Sequence, residues 1–157
     1  MDPVFAQILS SEESEVLAAY KENKTIQGKV DDDITIIEFT GTEPYYVAID
    51  VSSGLYGIYD VVAGKWEAEP VYSIVGTYGS EELALAQKDG FYGFIDPMGN
   101  TVIGFQFVEA DSFINGLARV CMNKRGIIDT NGTFVIDPIY EEVSIFLKNE
   151  IFHLTIT

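Results

Sequence analysis

The chain has 157 residues, 47% apolar and 13% aromatic, which suits one domain that buries about two thirds of its unfolded surface. Twenty-five Asp and Glu against nine Lys and Arg give a net charge of −16, which repels nucleic acid and anionic lipid and excludes binding to either as the main activity. The excess is uneven: residues 1–82 carry sixteen acids and four bases (−12), residues 83–157 nine and five (−4).

In chain order, residues 1–24 read as a helical cap. Asp2-Pro3 can start a short helical turn with Val4, Phe5, Ile8 and Leu9 as its apolar side. Ser10 followed three residues later by Glu13 is a capping box, predicting a helix that runs to Tyr20 or Glu22. Val16, Leu17 and Tyr20 give that helix an apolar face, suited to covering the exposed end of a sheet. Met1 is followed by no basic stretch, and Ser11-Glu12-Glu13 breaks the apolar run, so no secretory segment is read and the expected compartment is the cytoplasm. No apolar run reaches membrane-spanning length.

Residues 25–45 read as an acidic-tipped hairpin. Strands Ile26–Val30 and Ile34–Phe39 flank Asp31-Asp32-Asp33. Adjacent carboxylates without histidine make a poor specific metal site and ordinarily mark a solvated tip. The sharper reading makes this tip a contact for a basic partner. Gly41-Thr42-Glu43-Pro44 then turns the chain toward Tyr45 and Tyr46.

From Tyr46 onward the chain repeats itself, in units 46–82, 83–115 and 116–149, with 150–157 starting a fourth. Tyr56-Gly57-Ile58-Tyr59-Asp60, Tyr92-Gly93-Phe94-Ile95-Asp96 and Arg125-Gly126-Ile127-Ile128-Asp129 are the recurring core of each unit. Each unit predicts three strands. The first strands are Val47–Val51, Leu83–Lys88 and Leu117–Met122, followed by tight-turn signals at Ser53-Gly54, Asp89-Gly90 and Asn123-Lys124. The second strands carry the motif. Asp96-Pro97-Met98-Gly99 and Asp129-Thr130-Asn131-Gly132 have the residues of a type I turn followed by a positive-φ glycine. Third strands end at Tyr72, Phe107 and Tyr140. Glycine inside a strand is normally a weakness, so Gly57, Gly93 and Gly126 predict close approach by a neighbouring aromatic or backbone. The strand at Ile151–Thr155 is expected to pair with an earlier edge.

Gly116-Leu117-Ala118-Arg119-Val120, the Tyr-Gly-Phe-Ile-Asp run at 92–96, Pro138 and Tyr140 resemble the WG-repeat family of bacterial proteins over roughly residues 46–154. The name-giving tryptophan is replaced by Tyr56, Tyr92 and Arg125. This resemblance implies an interaction scaffold and transfers no catalytic residue. The expected fold is therefore mainly β: repeated three-stranded antiparallel meanders, an incomplete propeller-like or solenoid array, with an N-terminal α-helical cap.

Catalytic patterns are missing. His153 is the one histidine and has no evident serine or cysteine partner, and no phosphate loop or dinucleotide fingerprint occurs. Asp129-Thr130-Asn131-Gly132-Thr133 superficially resembles a calcium loop, but Tyr140 stands where the twelfth-position glutamate belongs and strands flank it. Paired acids such as Glu67 with Glu69 carry little specificity. Cys121 reads as a small buried hydrophobe. No enzyme activity, metal or cofactor is expected.

Small size and strong acidity fit an immunity-type inhibitor that blocks a basic bacterial toxin, a nuclease above all, as a monomer in a heterodimer. The alternative is a scaffold module binding peptide or glycan in a larger assembly. Partner contacts are expected at Asp31, Asp32, Asp33, Glu67 and Glu69. A second set is Glu81, Glu82, Glu109, Asp111, Glu141 and Glu142, which come after the third strands at similar offsets and are expected on one rim. Tyr45 and Tyr46 are candidate anchors, with core packing as the competing role.

Overall fold

The computed structural model describes residues 15–22, 26–148 and 151–157. Among the described residues, helix α1 (Glu15–Lys21) precedes four antiparallel sheets, each built from strands consecutive in the chain. The first sheet holds β1 (Gly28–Lys29), β2 (Ile34–Phe39), β3 (Tyr45–Asp50), β4 (Leu55–Asp60) and β5 (Lys65–Tyr72). The second holds β6 (Ile74–Val75), β7 (Ala84–Lys88), β8 (Phe91–Ile95) and β9 (Thr101–Phe107). The third holds β10 (Glu109–Ala110), β11 (Leu117–Cys121), β12 (Arg125–Asp129) and β13 (Phe134–Tyr140), and the fourth only β14 (Val143–Lys148) and β15 (Ile151–Ile156). The protein is mainly β, a row of antiparallel meanders.

Three strands per unit become four through the crossovers. Only Ser73 separates β5 from β6, and only Val108 separates β9 from β10. One extended segment thus ends one sheet and opens the next, which fixes neighbouring sheets beside each other. In the first sheet that opening position belongs to β2, so the acidic-tipped hairpin supplies the leading strand and β1 is an addition.

The motif glycines have a physical cause. Between Tyr56↔Tyr72 and Ile58↔Ala68, β4 advances two residues while β5 advances four; the same offset separates Tyr92↔Phe107 from Phe94↔Ile103 and Arg125↔Tyr140 from Ile127↔Ile136. The extra residues bulge over the glycine. A Cβ on Gly57 would lie 2.5 Å from the Ala68 carbonyl oxygen, on Gly93 2.6 Å from that of Ile103, and on Gly126 2.5 Å from that of Ile136. The close neighbour is backbone in all three units, so no side chain fits. The bulges also carry Pro70 and Pro138, which interrupt the outer edges and discourage edge-to-edge pairing.

The core lies between sheets. Val47, Ile58 and Tyr72 of the first pack against Ala84, Ala86 and Ile95 of the second. Phe94, Ile103 and Phe107 of the second pack against Ala118, Val120 and Ile128 of the third. Small residues on one face and large ones on the other let the sheets approach, and each large side chain buried this way is worth about 1.5–3 kcal/mol. The turn after β8 seats Gly99 (φ 85°) against Ile58 and Ala68, and the next turn seats Gly132 (φ 79°) against Ile103. At the N-terminal end Leu17 is buried, and Ala19 and Tyr20 of α1 join Ile26, Ile36, Tyr46, Ala48 and Tyr59 in a third cluster. Tyr46 is a core residue, as the competing role had it.

Several expectations need adjustment. The capping box at Ser10 and the turn at Asp2-Pro3 lie outside the described residues. The strand expected over Ile26–Val30 is only Gly28–Lys29: Ile26 packs into the cluster under α1, and Gly28 (φ 113°) turns the chain into the ladder. The strand expected over Ile151–Thr155 forms as β15, and the earlier strand it pairs with is β14, directly before it in the chain. The alternating apolar run of β14 is its neighbour in the chain, and closing a short hairpin costs less entropy than reaching a distant strand.

Candidate interaction surface

The motif aspartates are turn residues. Asp60 Oδ1 accepts the amides of Val62 and Ala63 at 2.9 and 2.8 Å. Asp96 Oδ1 accepts those of Met98 and Asn100, both at 2.9 Å, and Asp129 Oδ1 those of Asn131 and Thr133 at 2.9 and 3.0 Å. The loop at 129–133 is therefore a strand-flanked turn whose carboxylate faces its own backbone. Among the described residues no group of three or more acids, histidines and cysteines is arranged to hold a metal ion.

At the tip between β1 and β2, Asp31 Oδ1 accepts the amides of Asp33 and Ile34 at 2.8 and 2.9 Å, which fixes the turn and leaves all three carboxylates at the surface. Lys29 reaches Asp32 at only 4.0 Å, and both side chains are solvated, so the pair neutralises little. Asp33 holds the Val51 amide through its carbonyl, which puts the acidic tip beside the β3–β4 turn. There Asp50 gathers the hydroxyls of Ser52 and Ser53, and these bonds hold its carboxyl below the ordinary value. Glu67 and Glu69 project from the exposed side of β5, at the opposite edge of the five-stranded sheet from that tip. The first set is therefore two patches.

The second set divides as well. Glu81 Oε1 accepts the Gly116 amide at 2.8 Å, and this bond holds its carboxyl below the ordinary value. Glu82 is exposed with φ 57°. The other four acids come together around three bases of the third unit. Asp111 takes Arg119 in a two-pronged contact at 2.8 and 3.2 Å. Glu142 lies 3.2 Å from Arg119 and 3.8 Å from Arg125. Glu109 meets Arg125 at 2.9 Å, and Glu141 meets Lys124 at 2.6 Å. Arg125 Nη1 also donates to the Glu141 carbonyl at 2.7 Å, while its Nε is buried without a partner among the described residues. A shallow surface dimple with no room for a buried water lies over Glu109, Ala110, Arg119, Val120, Cys121 and Arg125.

A family model described as the WG containing repeat matches residues 56–90, 92–125 and 126–152, together more than half of the chain. The chain belongs to the WG-repeat family. No curated protein and no solved structure matches it. In the WG-repeat register Tyr56 and Tyr92 hold the name-giving position and join the packing between consecutive sheets. Arg125, directly before the matched stretch 126–152, holds it in the third unit and instead pairs with Glu109 of β10 and with Glu142 on the crossover toward β14. Arg119, Lys124 and Arg125 were not among the expected site residues. The signal for them was three of the nine bases falling within seven residues, beside the acids they neutralise.

Proposed function

We propose that this WG-repeat protein acts in the cytoplasm by binding rather than by catalysis, as an acidic inhibitor that occludes a basic protein, most readily a bacterial toxin with a nucleic-acid-binding groove. The supporting observation is the distribution of unpaired charge. Glu109, Asp111, Glu141 and Glu142 face Arg119, Lys124 and Arg125 of the third unit. In the first sheet Asp32, Asp33, Glu67 and Glu69 are exposed, and among the described residues the one approach within 4.0 Å of a base is Lys29–Asp32. A field concentrated at one end accelerates encounter with a cationic surface and orients the complex. Co-expression tests this reading. A host killed by the basic protein encoded beside this gene survives when the chain is present, and survival is lost with Asp31→Asn/Asp32→Asn/Asp33→Asn/Glu67→Gln/Glu69→Gln. Equal killing with and without the intact chain sinks the inhibitor reading.

The second reading, a scaffold module for peptide or glycan, is favoured by the family match itself, since arrays of this kind present extended surfaces to partners. It predicts binding that is indifferent to salt.

A further inference from the structure

Exposed apolar side chains occur at both ends of the array, and at one end they form a row beside the acidic tip. The β3–β4, β7–β8 and β11–β12 hairpins turn at equivalent positions, and Val51, Phe91 and Met122 stand exposed at these three tips. The crossovers fill the gaps between them: Ile74 pairs with Gln87 beside the second tip, and the Val108 amide donates to the Cys121 carbonyl beside the third. All five are 40% to 54% exposed. Stacked sheets lie about 10 Å apart, so the row spans roughly 20 Å.

The same end carries a charge gradient. The acidic tip is fastened to the first hairpin through the Val51 amide and the Asp33 carbonyl at 2.8 Å. At the third hairpin Lys124 pairs with Glu141 and Arg125 with Glu109. At the opposite end the motif carboxylates of Asp60, Asp96 and Asp129 are occupied by turn amides, and Glu81 by the Gly116 amide. Isolated exposed apolar residues are ordinary, whereas a row with a charged flank has the make-up of a protein-binding strip.

We propose that the hairpin-tip end is the docking surface for the basic partner, with Val51, Phe91 and Met122 as apolar anchors and Asp31, Asp32 and Asp33 seating the partner's cationic end. This deepens the inhibitor reading and depends on it. The fitting partner presents an apolar strip with basic residues at one end, laid across three tips.

Two synthetic peptides of about eight residues, long enough when extended to cross the row, separate the possibilities: one carries Arg at one end followed by a Leu-rich run (Arg–Leu), the other the same with Ser in place of Leu (Arg–Ser). At low salt the Arg–Leu peptide is expected to bind about tenfold more tightly. It should slow amide exchange around 51–55, 88–92 and 121–125. Val51→Ser/Phe91→Ser/Met122→Ser should erase the tenfold difference while leaving the Arg–Ser affinity unchanged. Equal affinities for the two peptides, or protection at the opposite turns, overturn this surface and leave the inhibitor reading standing. Binding of neither peptide at low salt overturns both.

Discussion

The Glu81 carboxylate accepts the Gly116 amide at 2.8 Å across 35 residues of chain, so an acid in the β6–β7 loop of the second sheet fixes the turn that opens β11 in the third. Because this bond holds the carboxyl below its ordinary value, its contribution is complete above the unfolded pKa and fades as pH falls through the folded one. Glu81→Ala should cost about 1 kcal/mol or less at neutral pH, given the site's partial exposure. The deficit should shrink in acid; urea melts at neutral pH and near pH 3 check this.

Gly93 is confined by backbone, with the Ile103 carbonyl oxygen 2.6 Å from where a Cβ would stand, whereas a Cβ on Gly104 would meet nothing within 4 Å. Gly93→Ala should therefore cost about 3 kcal/mol, in the range of forced overpacking. Gly104→Ala should stay within about 0.5 kcal/mol of the parent. Denaturant midpoints of the two variants give the comparison.

Tyr78 donates its hydroxyl to the Asp96 carbonyl at 2.8 Å, and burial pushes its phenol well up. Burial also raises Tyr20, Tyr45, Tyr46, Tyr59 and Tyr72. Folded values above unfolded ones give stability that is complete below about pH 10 and lost as pH rises further. Melting temperature should fall steeply above that pH. Tyr78→Phe should cost about 1 kcal/mol at neutral pH and flatten the alkaline limb.

Arg119 bridges Asp111 and Glu142, tying β11 to the crossover that leads into β14. Arg119→Met should lose under about 1 kcal/mol at low ionic strength, and the difference should narrow at about 1 M salt, where the screening length is near 3 Å. Paired melts at the two ionic strengths read this out.

Much of the fold was legible because each repeat writes its turns and its glycine in the same places. β2 has the predicted bounds, and the third strands end at Tyr72, Phe107 and Tyr140 as expected. The leading strands β6 and β10 were hidden because they are two residues long and arise from how sheets adjoin, which no local pattern encodes. Acidity was visible in composition, but its neutralisation was not. Whether Glu109 faces solvent or Arg125 depends on register across β10, β11 and β12, and Glu81 gave no sign of reaching 35 residues ahead to Gly116.

Affinity purification from the native host, washed first at low and then at high salt, tests the central claim most directly. The account predicts one basic protein that is retained at low salt, elutes as ions screen the contact, and is not retained by Asp31→Asn/Asp32→Asn/Asp33→Asn. Retention of a partner that ignores both salt and those substitutions would contradict it.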